Sequence, residues 1–165
     1  MRIIAGDLRG RRLHPPMGLP VRPTTDMARE ALFNILRNRV EFDQVTVVDL
    51  LSGTGAIGFE LVSRGVKHVT SVELNPKCVD FQKRTAEEFG LNNFVALRMD
   101  AFNFLGRSRQ AFDIVFADPP YELKQFDIIP ELVLKSFLKP YGIFVLEHSK
   151  AHDFKSNPYF VEQRH

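Results

Sequence analysis

Short β-branched apolar runs alternate along most of this chain with longer stretches in which apolar residues recur at helical spacing. The runs predict strands over 45–50, 68–73, 94–99, 112–117 and 142–147, with a sixth beginning at 160–164. Helices are expected between them over 56–64, 76–89, 101–105 and 126–137. Asn75 before Pro76 supplies an N-cap and a first-turn proline for the second of these. Strict βαβα alternation with strands apolar on both faces means a mostly parallel sheet covered by helices on both sides, an α/β, Rossmann-like architecture.

The first forty residues follow another pattern. Residues 1–18 read as a small hairpin, Arg2-Ile3-Ile4-Ala5 and Arg11-Arg12-Leu13-His14 around a turn that starts and ends in glycine. Pro15, Pro16, Pro20 and Pro23 then keep the chain extended. Thr24, Thr25 and Asp26 offer N-cap chemistry for a helix over 27–40. Met27/Ala28, Ala31/Leu32 and Ile35/Leu36 predict its buried face, which leaves Phe33 off the stripe.

A chain of 165 residues, 44% hydrophobic and 25% charged, has the size and composition of one globular domain. With no repeat or linker, the expected organisation is a single domain over 1–165, a basic arm at 1–25 on an α/β body at 26–165. Cys78 is the only cysteine, which rules out an intramolecular disulfide and fits a reducing cytoplasm. No window approaches the roughly 18 apolar residues of a membrane span. The opening MRIIAGDLRG lacks the apolar core of a signal peptide, so a cytoplasmic protein without membrane attachment is expected. Fifteen phenylalanines need no role beyond core packing.

Charge changes the picture more. Residues 1–25 carry five arginines (Arg2, Arg9, Arg11, Arg12, Arg22) against Asp7, a net +4, while the whole chain carries +2 and the remainder therefore −2. A basic arm on a near-neutral body points to a polyanionic partner, nucleic acid first, over a merely solvated arm.

The candidate chemistry gathers at strand ends, where a doubly wound sheet binds its ligands. Residues 47–58 read VVDLLSGTGAIG, a strand passing through a glycine-rich turn into a helix. Gly53, Gly55 and Gly58 satisfy G-x-G-x-x-G, which by itself suggests a dinucleotide. Glu73 closes the second strand, placed to accept hydrogen bonds from ribose hydroxyls of either NAD or S-adenosylmethionine. Asp49 separates the two, because it is positioned to receive an amino-acid ammonium that only S-adenosylmethionine has. Asp100, after the third strand, is placed to accept from the adenine amine.

Asp118-Pro119-Pro120-Tyr121 follows the fourth strand. An exocyclic amine on a flat base is a poor nucleophile, since its lone pair is delocalised into the ring. The Asp118 carboxylate and the Pro119 carbonyl can accept its two N–H bonds in the geometry of a nitrogen turning tetrahedral. Tyr121 offers a face for stacking on the base. Each residue also has a plain structural reading: Asp49 as a turn cap, Glu73 as a solvated strand end, Asp100 as the N-cap of the helix at Ala101, and Asp118-Pro119 as an ordinary turn. Their succession at consecutive strand ends favours the chemical reading.

Together VVDLLSGTGAIGFE, Glu73, Asp100 and DPPY resemble the motif series of class I S-adenosylmethionine-dependent methyltransferases acting on amino groups. More narrowly, MRIIAGDLRGRRL, RPTTDMAREALFNIL and the spacing to DPPY resemble the RsmD family, bacterial enzymes that methylate a guanine N2 in small-subunit ribosomal RNA. The resemblance covers essentially the whole chain. It implies S-adenosylmethionine at Asp49, Gly53, Gly55, Glu73 and Asp100, with Ser52, Thr54, Leu74, Ala101 and Asp118 completing its surroundings and no metal. It implies catalysis at Asp118, Pro119, Pro120 and Tyr121, and RNA contacts from Arg2, Arg9, Arg11, Arg12, Arg22, Thr24 and Thr25. The implied partner is small-subunit ribosomal RNA within an assembled or assembling subunit, met by a monomer.

Three other readings compete. A DNA or RNA adenine-N6 methyltransferase shares DPPY but usually carries a target-recognition region for which the body has no room. An NAD oxidoreductase rests on the glycines alone, and a non-catalytic RNA-binding module is disfavoured by the intact DPPY. His148 and His152 have a spacing seen in metal sites, but without a third ligand metal binding is not expected.

Overall fold

The computed structural model describes residues 1–21, 24–120 and 122–164. β1 (Thr46–Leu50) lies at the centre of a five-stranded sheet with β2 (His68–Glu73), β3 (Phe94–Arg98), β4 (Phe112–Ala117) and β5 (Leu138–Leu146) in the order β3-β2-β1-β4-β5. Every neighbouring pair is parallel. The chain builds outward from β1 to β3, then returns to pair β4 against the other side of β1. That reversal makes a topological switch point between β1 and β4, and the crevice beyond their carboxyl ends is where such a sheet takes ligands.

The two-residue period of the strands divides the core between the two faces. Val47, Ile114 and Phe116 pack with α1 (Asp26–Leu36), α2 (Ala56–Ser63) and α3 (Pro76–Glu88). Val48, Leu50, Val115 and Ala117 pack with α4 (Ala101–Arg107) and α5 (Ile128–Ser136). Asp49, between Val48 and Leu50, is thereby turned toward the α2 side. The sequence places these elements to within a few residues, with three corrections.

The first concerns α1. Its buried face is Arg29, Phe33 and Leu36, with Phe33 fully buried and Met27 81% exposed. The stripe expected through Met27, Ala28 and Ala31 faces solvent. Two apolar stripes compete on this helix, and the one carrying the phenylalanine removes more area from water. The Arg64 guanidinium also covers the Phe33 ring at 4.4 Å. Phe33→Ala is therefore expected to cost about 3–5 kcal/mol, and Met27→Ala less than about 0.5 kcal/mol. Urea unfolding of the two variants checks this; the reverse order would put Met27 rather than Phe33 on the buried face.

Second, β5 starts at Leu138 rather than Gly142. Phe112 pairs with Leu138 but Ile114 pairs with Ile143, so extra residues bulge from the β5 side. Tyr141 at the bulge takes φ +65°, and a Cβ on Gly142 would lie 2.8 Å from the Lys139 carbonyl oxygen. Third, residues 160–164 form no strand, so among the described residues the sheet ends at β5.

The basic arm is a minimal hairpin docked on α2. Arg2 and Arg12 form one antiparallel bridge, with Ile3 N–H donating to the Arg11 carbonyl and Gly10 N–H to that of Ile3, both at 2.9 Å. Ile3 and Leu13 point into the core. Glu60, the one charged residue in the apolar helix α2, is fully buried and holds the arm by accepting from the N–H groups of Ile4 at 2.9 Å and Ala5 at 3.1 Å. Arg64 at 3.0 Å and Arg29 at 3.8 Å balance its charge. At Gly6, φ is +87° and a Cβ would sit 1.9 Å from the Ser63 carbonyl oxygen, so only glycine permits this approach.

Candidate active site

The turn between β1 and α2 is set from below by side chains that the sequence motif does not contain. Gln82, on the inner face of α3 and fully buried, donates to the Gly53 carbonyl at 2.7 Å and to Ser52 Oγ at 3.0 Å. Ser71 Oγ lies 2.6 Å from Gln82 Oε1 and 2.7 Å from Ser52 Oγ, closing a ring of hydrogen bonds beneath the loop. A Cβ on Gly55, which has φ +79°, would come within 3.0 Å of Gln82. The signal for Gln82 was a polar residue on the Cys78/Ala86 stripe of α3, and for Ser71 a serine in mid-strand.

Glu73 is held and holding. Its Oε2 accepts from Gly53 N–H at 2.7 Å, and its Oε1 accepts from the N–H groups of Leu74 and Asn75, both at 3.0 Å. Ser52 N–H donates to the Val72 carbonyl at 3.1 Å and Gly55 N–H to that of Ser52 at 2.9 Å. Three N–H groups that a pyrophosphate cradle would need are thus already committed to the protein.

Asp49 is only 2% exposed, and its Oδ2 makes no hydrogen bond. Burial pushes its carboxyl well above the usual carboxylate range, reinforced by the negative charges of Asp118 and Glu73; the Gly58 N–H pulls the other way too weakly to offset them. A buried acceptor with no partner is costly to keep unless something brought to the site pairs with it.

These groups line a cavity of about 580 Å³ at the switch point. From the β1–α2 side it is lined by Asp49, Ser52, Gly53, Thr54 and Glu73, from the end of β4 by Phe116, Asp118, Pro119, Pro120 and Glu122, and from the N-terminal segment by Pro15, Pro16, Gly18, Leu19, Pro20 and Val21. Val21 stands over Gly53, where a Cβ would meet its Cγ1 at 3.3 Å. The cavity wall holds four carboxylates and, among the described residues, no lysine or arginine. Its acidic side chains suit a cationic group on a ligand.

Not every predicted site residue reaches it. Gly55 acts at the N-cap of α2, Leu74 is exposed, and Ala101 is buried in the core. Asp100 Oδ1 accepts from Asn103 N–H at 3.0 Å as the N-cap of α4, the plain structural reading of that residue, and it does not line the cavity. Thr24 lines the cavity, whereas Thr25 Oγ1 caps α1 by accepting from Ala28 N–H at 3.1 Å. Tyr121 and Arg22 lie outside the described residues. Arg2, Arg9, Arg11 and Arg12 are exposed on the arm, Arg11 with its guanidinium 4.8 Å from the Phe89 ring centroid. Among the described residues no cluster of potential metal ligands occurs and no helix is long and apolar enough to cross a membrane.

A family model described as "Conserved hypothetical protein 95" matches residues 1–165. The chain is 31% identical to the ribosomal RNA small subunit methyltransferase D of Buchnera aphidicola subsp. Baizongia pistaciae over 154 residues, 92% of this chain and 77% of that protein. It is 32% identical to the protein of the same name from Haemophilus influenzae, covering 91% of this chain and 79% of the other. A solved structure of a hypothetical protein from Thermus thermophilus matches with a TM-score of 0.83 at 28% identity, over 94% of this chain and 90% of that one. With its Rossmann-like class I methyltransferase fold, the chain belongs to the family of the ribosomal RNA small subunit methyltransferases D.

Proposed function

We propose that this protein methylates the exocyclic N2 amine of a guanine in small-subunit ribosomal RNA with S-adenosylmethionine as donor. The observation that carries the cofactor half of this reading is the acidic cavity with its orphaned buried acceptor, Asp49 Oδ2. An amino-acid ammonium pairs with that oxygen, and a sulfonium suits a wall of carboxylates, whereas a dinucleotide pyrophosphate would meet repulsion and an occupied loop. In this reading Asp49, Ser52, Gly53, Thr54 and Glu73 hold the cofactor, with Gly55 keeping the loop's shape. The family resemblance assigns Leu74, Asp100 and Ala101 to it as well, although none of the three lines the cavity. When bound, S-adenosylmethionine supplies an already activated methyl group.

The chain's own work is then positioning. Asp118 and the Pro119 carbonyl accept the two N–H bonds of the guanine amine and favour its tetrahedral form. Tyr121 stacks on the base, and Pro120 fixes the turn. The amine proton leaves after the transfer, by way of Asp118. A base inside folded RNA must first turn out of its stack. The arm contributes Arg2, Arg9, Arg11, Arg12 and Arg22, with Thr24 and Thr25, to the phosphates around it. Arm and body work as one domain, in the cytoplasm and as a monomer, on an assembled or assembling small subunit.

Transfer of label from S-adenosylmethionine to unmethylated small ribosomal subunits tests the reading, and no incorporation would refute it. Arg11 is partly engaged with Phe89, so Arg9 and Arg12 give the cleaner test of the arm. Replacing both by alanine is expected to weaken RNA binding and reduce the slope of log affinity against log salt by about 0.7 for each phosphate no longer neutralised. An unchanged slope removes the arm from the interface.

A further inference from the structure

We propose that Met17 is a wedge that enters the RNA stack in the place of the outturned target base, an inference that rests on the proposed function above. From Pro15 to Val21 every residue lines the cavity except Met17, which is 100% exposed. Pro15 and Pro16 restrict the backbone before it, and Gly18 follows with φ +80° and open space around it, so Met17 stands at the tip of a tight turn on the cavity's rim. Asp118, Pro119 and Pro120 line the same cavity. A base reaching Asp118 passes into the cavity whose rim carries Met17.

A lone exposed apolar residue is ordinary on a protein surface. What distinguishes Met17 is an apolar side chain held out at the mouth of an acidic cavity, on the segment that continues from an exposed arginine arm. Arginines on the arm suit phosphates, and Met17 suits what lies between phosphates, the apolar faces of stacked bases. Turning a base out leaves a gap whose unstacking costs a few kcal/mol, and an inserted methionine or leucine recovers part of it. Long, unbranched and flexible, methionine fills an irregular gap well. Met17 thus acts as a positioning residue for the RNA, with no contact to the reacting atoms.

Single-turnover methylation by Met17→Ala and Met17→Leu tests this on two substrates, unmethylated small ribosomal subunits and a short unstructured RNA containing the target guanine. On folded RNA, Met17→Ala is expected to slow transfer about tenfold or more, and Met17→Leu to stay within about threefold of wild type because it still fills the gap. On unstructured RNA both variants should match wild type, with cofactor affinity and thermal stability unchanged. Met17→Ala equal to wild type on folded RNA overturns the wedge, as does equal slowing on both substrates or slowing by Met17→Leu as large as that by Met17→Ala. A wild-type protein that methylates neither substrate overturns the proposed function itself, and the wedge with it.

Discussion

Asp118→Ala is expected to lower the rate of methyl transfer by about 10²–10³-fold or more while S-adenosylmethionine still binds. The rate falls because a carboxylate that accepts from the amine interacts more strongly as the nitrogen becomes tetrahedral, so its loss is felt in the transition state. Binding is expected to survive because the proposed partner of the cofactor's ammonium is Asp49, not Asp118. Removing Asp118 also takes away one of the negative charges that resist ionisation of Asp49. Stopped-flow transfer and a separate cofactor titration read the two effects. A variant turning over within about threefold of wild type would remove Asp118 from the chemistry.

Asp49→Asn should do the opposite kind of damage: weaker cofactor binding in a protein that is more stable without it. Loss of a hydrogen bond to a charged group, about 1.5–3 kcal/mol, corresponds to roughly 10- to 100-fold in affinity. The gain in stability arises because the buried carboxyl of Asp49 has no partner for Oδ2, and its pKa is raised well above the ordinary value. For an acid shifted upward by folding, stability is fully present below the unfolded pKa of about 3.9 and is lost as pH rises through the folded value. The asparagine variant should therefore gain nothing at low pH and most at neutral pH, by about 2–4 °C in Tm for each kcal/mol recovered. Cofactor affinity of the wild type should rise over the same pH window, since the ammonium binds the ionised carboxylate. A wild-type protein more stable than Asp49→Asn at neutral pH, free of cofactor, would show that Asp49 is paired.

Much of this was legible in the sequence because the signals were local. Strands apolar on both faces, Asn75-Pro76 as a helix start, and the arrival of Asp49, Glu73 and Asp118 near the carboxyl ends of β1, β2 and β4 follow from periodicity and caps. The pairing of Phe33 with the core was not legible, since two stripes on α1 differ only by what packs against them. The bulge at Lys139–Gly142 was hidden for a similar reason, because pairing register is a property of two strands. Asp100 shows the converse: a carboxylate at a strand end serves a helix cap as well as a ligand, and the sequence holds both readings. Gln82, Ser71 and Glu60 were missed although each stands out as a polar residue on an apolar face. Their partners, the loop backbone and the arm, are distant in the chain. The glycines of G-x-G-x-x-G pointed to a dinucleotide, whereas the N–H groups of the loop are taken by Glu73, Val72 and Ser52.

The most direct test is the identity of the product nucleoside. Unmethylated small ribosomal subunits would be treated with the protein and S-adenosylmethionine, and their RNA digested and resolved by mass spectrometry. The account predicts a single new N2-methylguanosine, formed at least about 100-fold more slowly by Asp118→Ala. N6-methyladenosine in its place, or incorporation by the variant at a rate within about threefold of wild type, would contradict it.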